Sequence, residues 1–279
     1  MKLVDRKVVT LDDKLSRWLP ELPNADKITL GMLAASHSGY SDYVQNPDFL
    51  KANNADPFRA WNRDELRQYG ISKPLQYTPG TSWNSAHTNF LILGEALEKI
   101  TGKPIDRLVA DEALRPLGLR NTQSSCTAEI PEPVLHAFTS ERGIYEDSTY
   151  WDPSCTLGCG LVETTDISDL ITSAVGIGTG SLLSRTSLQL QIEPKSRIIP
   201  ANGPPVYYGL GIFTANSWVF QNPLFSGYQA IMAYQSSQQI AIAVAATVGP
   251  HGSASTNYST EIFQKVGAYL APNQPPPSQ

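Results

Sequence analysis

The three cysteines are the residues whose spacing bears most directly on chemistry. Cys155 and Cys159 are separated by three residues, but no nearby histidine or further cysteine completes a tetrahedral zinc site. With Cys126 they make an odd, low count that does not form a disulfide framework in 279 residues. We therefore expect small buried thiols and no metal site, while an exported chain could contain one disulfide.

The signature motifs of several enzyme classes are absent from the sequence. No Gly-x-Ser-x-Gly nucleophile elbow, glycine-rich phosphate loop or His-Glu-x-x-His zinc helix occurs. The carboxylates are scattered, and pairs such as Asp12-Asp13 are typical of turns and helix caps. We expect no cofactor.

The elements that must position any active residues form a helical part followed by strands. Helical spacing from Phe90 to Ile100, with Gly102 as a stop, predicts a helix over about 88–100. The composition also predicts helices over 105–114, after Thr165-Asp166 and over 260–270, and strands over 207–213, 217–220, 229–234 and 239–248.

This order of elements predicts an α+β fold in one domain. The domain is expected to span residues 1–270, with 1–204 mainly helical and 205–270 forming the C-terminal strands and closing helix. Residues 271–279 contain four prolines and are expected to form a flexible tail.

Six strings, in order, resemble strings of the serine β-lactamase and DD-peptidase superfamily, in its class C β-lactamase, penicillin-binding and serine esterase group. The resemblance implies a β-lactamase-like fold, with an antiparallel sheet flanked by helices and a helical subdomain, from which the N-terminal strands and the nucleophile helix are missing. The strings are Leu11-Asp12-Asp13 with Leu19-Pro20, Ile28-Thr29-Leu30 with Ser38-Gly39 and Asp42-Tyr43, Pro79-Gly80-Thr81 with Trp83 and Asn89-Phe90, Arg115-Pro116-Leu117-Gly118, Gly160-Leu161-Val162 with Thr164-Thr165, and Gly227-Tyr228.

This superfamily uses Ser-x-x-Lys on a helix, Tyr-x-Asn on a loop, and Lys-Thr-Gly or His-x-Gly on a strand. The serine is a weak nucleophile until a base takes its proton, and the lysine and tyrosine share that work. No serine stands three residues before any lysine of this chain, and the resemblance places that motif before residue 1. We therefore expect the chain as given to be inactive.

The second motif is altered. Counting from Trp83 places the superfamily's tyrosine at Ser85 and its asparagine at His87. A serine hydroxyl is a much weaker acid than a phenol and has a shorter reach, whereas His87 could donate a hydrogen bond to a substrate amide. The alternative is that His87 only caps the helix that starts at Thr88. The superfamily's histidine before Thr-Ser-Gly is displaced to His37, which we interpret as a surface or structural residue.

The third motif is also altered, to Gln221-Asn222-Pro223. Gln221 and Asn222 can bind a ligand without charge, or they can simply form a polar turn between strands. Trp83 and Tyr228 are expected to supply apolar walls. The resemblance implies that Gln221 and Asn222 face Ser85 and His87 across one pocket.

Two functions remain open. The first is acyl-serine hydrolysis of a β-lactam, a D-Ala-D-Ala peptide or an ester; the second is a pseudoenzyme that binds a peptide, a cell-wall fragment or a protein. The formal charge of −5, without a Lys/Arg run, argues against a nucleic-acid partner. Neither a signal peptide nor a transmembrane stretch is visible, so the compartment is left open. We expect self-association if an apolar face is exposed.

Overall fold

The computed structural model describes residues 1–198 and 205–277. Short 3-10 turns occur at Leu15–Arg17 and Tyr43–Gln45, and a π-helical turn at Ala110–Leu114. None of the helices in the described ranges is long and apolar enough to cross a membrane. In chain order the α-helices are α1 (Lys2–Asp5), α2 (Leu30–Ala34), α3 (Pro47–Ala55), α4 (Arg63–Ile71), α5 (His87–Thr101), α6 (Ile105–Val109), α7 (Arg115–Leu117), α8 (Ser154–Leu157), α9 (Ile167–Thr179), α10 (Arg185–Ile192) and α11 (Tyr258–Leu270).

The strands in the described ranges form one large antiparallel sheet and two small ones. In chain order they are β1 (Gln123–Ser125), β2 (Phe138–Thr139), β3 (Glu146–Asp147), β4 (Val162–Thr164), β5 (Ser196–Ile198), β6 (Val206–Tyr208), β7 (Phe213–Ala215), β8 (Trp218–Gln221), β9 (Leu224–Phe225), β10 (Tyr228–Gln235) and β11 (Ile240–Thr247). The large sheet has the order β11-β10-β8-β7-β6-β5, and β9 also pairs with β10. The small sheets pair β1 with β4 and β2 with β3.

The residues of the chain cluster into two compact units, and the single domain predicted over residues 1–270 stays a prediction. The first unit contains residues 1–115, 123–128 and 152–164, and the second contains 116–122, 129–151 and 165–279. The described part of the first unit is mainly helical, and that of the second holds the large sheet with α9 and α11. The prediction of an α+β fold is therefore confirmed.

Helix α5 is central to the core of the first unit. Ile92 and Ala96 of this helix pack in one buried cluster with Leu15 and Leu33. The helix ends at Gly102, which has a left-handed φ of 68° that favours glycine. The helix predicted over 88–100 is confirmed, because apolar periodicity and a glycine stop agree here.

A disulfide in the first unit joins Cys126 to Cys159, with their Cα atoms 4.3 Å apart. Its two cysteines flank the small sheet of β1 and β4, in which Ser125 pairs with Val162. Cys155 is the buried free thiol. The expectation of three thiols was wrong for Cys126 and Cys159, since folding brings together residues separated by 33 positions.

The large sheet of the second unit is covered on both faces. Ile231 and Phe263 belong to the same buried cluster, which places α11 against one face of β10. Tyr234 points to the opposite face, where it lies against Gly178 of α9. Because successive strand residues alternate between faces, strands of this sheet are apolar on both sides, as the sequence predicted.

One predicted strand is two strands in the structure. The segment predicted over 207–213 contains β6, a turn and the start of β7. Gly211 in this turn has a φ of 74°, and the Gly209 amide donates to the Ile212 carbonyl at 2.9 Å. The two glycines therefore reverse the chain where the apolar pattern alone indicated continuous extension.

The described part of the predicted tail packs against the second unit. Trp218 Nε1 donates to the Gln274 carbonyl at 2.8 Å, and Asn216 Nδ2 donates to the Pro275 carbonyl at 3.2 Å. Pro276 is buried beside Gly267 of α11. The proline-rich segment is therefore not a free tail, because its carbonyls accept hydrogen bonds from the side chains of Trp218 and Asn216. Prolines have no backbone amide to donate, but their carbonyls remain acceptors.

Candidate functional site

Backbone hydrogen bonds in the first unit hold the loop before α5. The Gly80 amide donates to the His37 carbonyl at 2.9 Å, and the Asn84 amide donates to the Ser36 carbonyl at 3.2 Å. Gly80 has a φ of 85°, a conformation that favours glycine. Of the two interpretations of His37, as a surface or as a structural residue, these bonds favour the structural one, since its carbonyl holds the loop. Residues 80–86 therefore lead to α5 in a defined conformation.

His87 is the first residue of α5 and lies beside Asp42. Its Nδ1 atom is 3.3 Å from both carboxylate oxygens of Asp42, and its backbone amide donates to Asp42 Oδ1 at 3.0 Å. The helix N-cap is Ala86, without a side-chain cap. The interpretation of His87 as a cap is therefore wrong, because the orphan amide at this terminus is satisfied by Asp42 instead.

The segment that carries Asp42 is tied to the same helix terminus. Thr88 Oγ1 donates to the Ser41 carbonyl at 2.6 Å and accepts from the Tyr43 amide at 3.2 Å. Asp42 also caps the short turn that follows it, accepting from the Val44 amide at 3.4 Å. The carboxylate is thus held by the backbone on both sides of the contact with His87.

Asp42 is a buried carboxylate with a partly exposed partner. The exposed fraction of its side chain is 6%, against 36% for His87. Among residues 1–198 and 205–277, no lysine or arginine forms an ion pair with Asp42. The imidazole therefore lies between a buried negative charge and solvent.

Ser85 is exposed and stands two residues before His87. Ala86 between them is extended, with a φ of −142° and a ψ of 120°, and it is buried. Trp83 is half-buried on the same loop.

The remaining predicted residues belong to the second unit, where their side chains are occupied. Gln221, the last residue of β8, donates from Nε2 to the Gly211 carbonyl at 2.7 Å. Asn222 donates to Thr260 Oγ1 at 3.4 Å. These bonds favour the interpretation of Gln221 and Asn222 as a polar turn, and a ligand-binding role for them stays a prediction.

Tyr228 opens β10 directly after Gly227, whose φ is 89°. Burial raises the pKa of the Tyr228 phenol to about 12, so the hydroxyl keeps its proton at neutral pH. The expectation that Ser85 and His87 face these second-unit residues across one pocket stays a prediction.

An open pocket lined mainly by residues of charged and polar types, which the sequence did not predict, lies in the first unit. Its volume is about 710 Å³, and none of the predicted site residues lines it. Arg67 and Glu95 form an ion pair of 2.5 Å at this pocket, and Arg63 and Glu98 form one of 2.8 Å. No group of three or more metal-binding side chains occurs in the part of the chain that the structure describes. The lining residues are Leu19, Glu21, Asn62, Arg63, Asp64, Glu65, Arg67, Gln68, Glu95, Glu98 and Lys99.

The chain matches the model of one known protein family. A family model described as Beta-lactamase matches residues 1–262. The chain belongs to the beta-lactamase family. It is 26% identical over 148 residues to a putative D-alanyl-D-alanine carboxypeptidase of Escherichia coli strain K12, a match that covers 50% of this chain and 32% of that protein. The chain therefore matches about a third of the length of this curated relative.

Solved structures share the beta-lactamase-like fold. A D-stereospecific amidohydrolase from Streptomyces sp. has a TM-score of 0.81 at 24% identity, covering 90% of this chain and 78% of that chain. The D-amino acid amidase of Ochrobactrum anthropi SV3 has a TM-score of 0.79 at 20% identity, covering 95% of this chain and 76% of that chain. At these identities the likeness shows the fold, and function must be argued from residues.

Proposed function

We propose that residues 1–279 bind a D-amino-acid amide or a short D-peptide and do not hydrolyse it by the acyl-serine route of the beta-lactamase family. The proposal is carried by Ser85 and His87, which the resemblance to the family places at the positions of its Tyr-x-Asn. Ser85 is exposed and the imidazole of His87 is held by Asp42. Neither residue offers the phenol that shares the proton transfer in that route.

The sequence supports the same proposal. No serine stands three residues before a lysine in these 279 residues, so they contain no pair that could act as the family's nucleophile and base. The class of ligand is supported by the relatives, whose descriptions name D-alanyl-D-alanine carboxypeptidase, D-stereospecific amidohydrolase and D-amino acid amidase. A framework shared with such proteins can retain recognition of a D-configured amide without the chemistry.

Acyl-serine hydrolysis of a β-lactam, a D-Ala-D-Ala peptide or an ester is the second candidate. Membership in the family favours it. The altered positions weigh against it, because residues of a catalytic unit act together and the loss of one costs several orders of magnitude in rate.

The test is turnover combined with binding. We expect no saturable hydrolysis of nitrocefin, p-nitrophenyl butyrate or D-phenylalaninamide, and saturable calorimetric binding of N-acetyl-D-phenylalaninamide. A heat-denatured sample of the same chain gives the background rate. Saturable turnover that a fluorophosphonate abolishes would establish the second candidate and overturn the first.

A further inference from the structure

We propose that Asp42 fixes the tautomer of His87, so that this imidazole presents a hydrogen-bond acceptor and selects ligands that carry an N–H donor. The ligand class is a primary amide or an ammonium group rather than an ester or a carboxylate. The inference rests on the proposed binding function and deepens it, by naming the group of the ligand that His87 recognises.

The contact with Asp42 determines which ring nitrogen of His87 carries the proton. An ionised carboxylate only accepts hydrogen bonds, so the ring nitrogen that faces Asp42 must carry a proton. That nitrogen is Nδ1, at 3.3 Å from both oxygens. In a neutral imidazole the other nitrogen then carries a lone pair and no proton. His87 therefore presents Nε2 as an acceptor, the opposite polarity to the donor role that the sequence suggested.

The side chain of His87 is accessible from solvent. The His87 side chain is 36% exposed, and the hydrogen bonds of its ring within residues 1–198 and 205–277 both involve Nδ1. Ser85, two residues earlier, is exposed as well. The exposed side chain of His87 is therefore open to a ligand that donates an N–H.

The negative charge of Asp42 lies next to the imidazole of His87. Asp42 is buried and its ion-pair partner in the described ranges is His87 alone. Its negative charge is therefore not cancelled by a lysine or arginine, and a buried charge is screened less than one in water. This field disfavours a ligand carboxylate or ester oxygen near Nε2 and favours an N–H group.

The tautomer can be measured directly. In a chain labelled with 15N-histidine, at about pH 8.5 where an ordinary imidazole is neutral, we expect His87 to show a protonated Nδ1 and an unprotonated Nε2. The signals of His87 are assigned among the four histidines by their loss in H87N. In D42N, the amide can still accept from the backbone and can donate to Nδ1, so the proton should move to Nε2.

The preference is tested at about pH 8.5, where an ordinary imidazole is neutral, with two ligands that differ in one group, N-acetyl-D-phenylalaninamide and N-acetyl-D-phenylalanine methyl ester. The wild-type chain should bind the amide about five to ten times more tightly, the effect of one hydrogen bond. The preference should vanish in H87A and shrink or reverse in D42N. D48N, which removes an exposed carboxylate on α3, is the matched control and should keep it.

The inference is overturned by a protonated Nε2 in the neutral wild-type ring, by equal affinities for the two ligands, or by no saturable binding of the amide. The wild-type tautomer tests it even if D42N does not fold. Turnover of the amide would overturn the proposed function instead, while the tautomer result would stand by itself.

Discussion

The guanidinium of Arg67 lies 2.5 Å from the carboxylate of Glu95, and both side chains are largely buried, with exposed fractions of 15% and 10%. Burial raises the pKa of the Glu95 carboxyl, and the charge of Arg67 opposes that rise. The pair connects α4 to α5, the helix that begins at His87. A buried ion pair of this kind makes the packing of two helices sensitive to the loss of one partner.

Removing Arg67 alone should therefore destabilise the chain strongly. We expect R67M to lower the free energy of unfolding by about 3–5 kcal/mol, because it leaves Glu95 buried without a cation. The double variant R67M/E95Q should recover part of the loss. Urea unfolding measures both, and R17M, which removes an exposed arginine, should stay within about 0.5 kcal/mol of wild type.

The same pair predicts a pH dependence with a definite sign. A carboxyl whose pKa is raised on folding binds its proton more tightly in the folded chain than in the unfolded chain. Its contribution to stability is present below the unfolded pKa and is lost as the pH rises through the raised pKa. The cost of R67M should thus grow as the pH increases from about 4 to about 7, and a cost that shrinks over this range would contradict the assignment to Glu95.

A glycine in the second unit should resist substitution. A Cβ at Gly227 would lie 2.3 Å from the Phe138 carbonyl oxygen, and the residue has a φ of 89°. We expect G227A to cost at least about 2 kcal/mol in the free energy of unfolding. A Cβ at Gly249 would meet no atom within 4 Å, and this residue has no left-handed φ, so G249A is the control. Equal stability of the two variants would contradict the close approach of Gly227 to Phe138.

The disulfide makes a prediction about thiol chemistry. Under denaturing conditions without reductant, one of the three cysteines should react with a thiol reagent, and all three should react after reduction. Replacing Cys126 and Cys159 by serine should cost about 2–4 kcal/mol through the freed unfolded chain. Three reactive thiols before reduction would contradict the pairing.

The last helix should promote self-association. Apolar side chains on one stripe of α11 are exposed, namely Ile262 at 43%, Val266 at 40%, Tyr269 at 84% and Leu270 at 45%. Such a stripe favours association with a second chain or a hydrophobic dye. We expect concentration-dependent association in sedimentation analysis, weakened in V266E but not in A268E, which lies on the opposite side of the helix. A monomer at all concentrations would exclude this surface.

The structure follows the sequence prediction where a local apolar pattern and a stop signal agree. Helix α5 combines apolar periodicity with Gly102, and its start and end were predicted within a residue. The segment over 207–213 was misread because an apolar run concealed a turn at Gly209 and Gly211. An apolar pattern predicts the path of the backbone correctly only when glycines that can form turns are considered together with it.

Contacts between residues that are distant in sequence could not be predicted from local patterns. Asp42 and His87 are separated by 45 positions, and nothing in either neighbourhood indicates that they meet. The resemblance placed Ser85 and His87 at altered catalytic positions, but it named no partner for the imidazole. The acceptor role of His87 follows only from the contact with a buried carboxylate.

The most direct test of the central claim is the intact mass of the chain after incubation with benzylpenicillin. The acyl-serine route leaves a covalent ester on the nucleophile before water releases it, so an adduct reports the first chemical step without any need for turnover. We expect the mass to remain that of the unmodified 279-residue chain after prolonged incubation. An added mass equal to one molecule of the β-lactam, mapped by peptide digestion to a serine, would contradict the account.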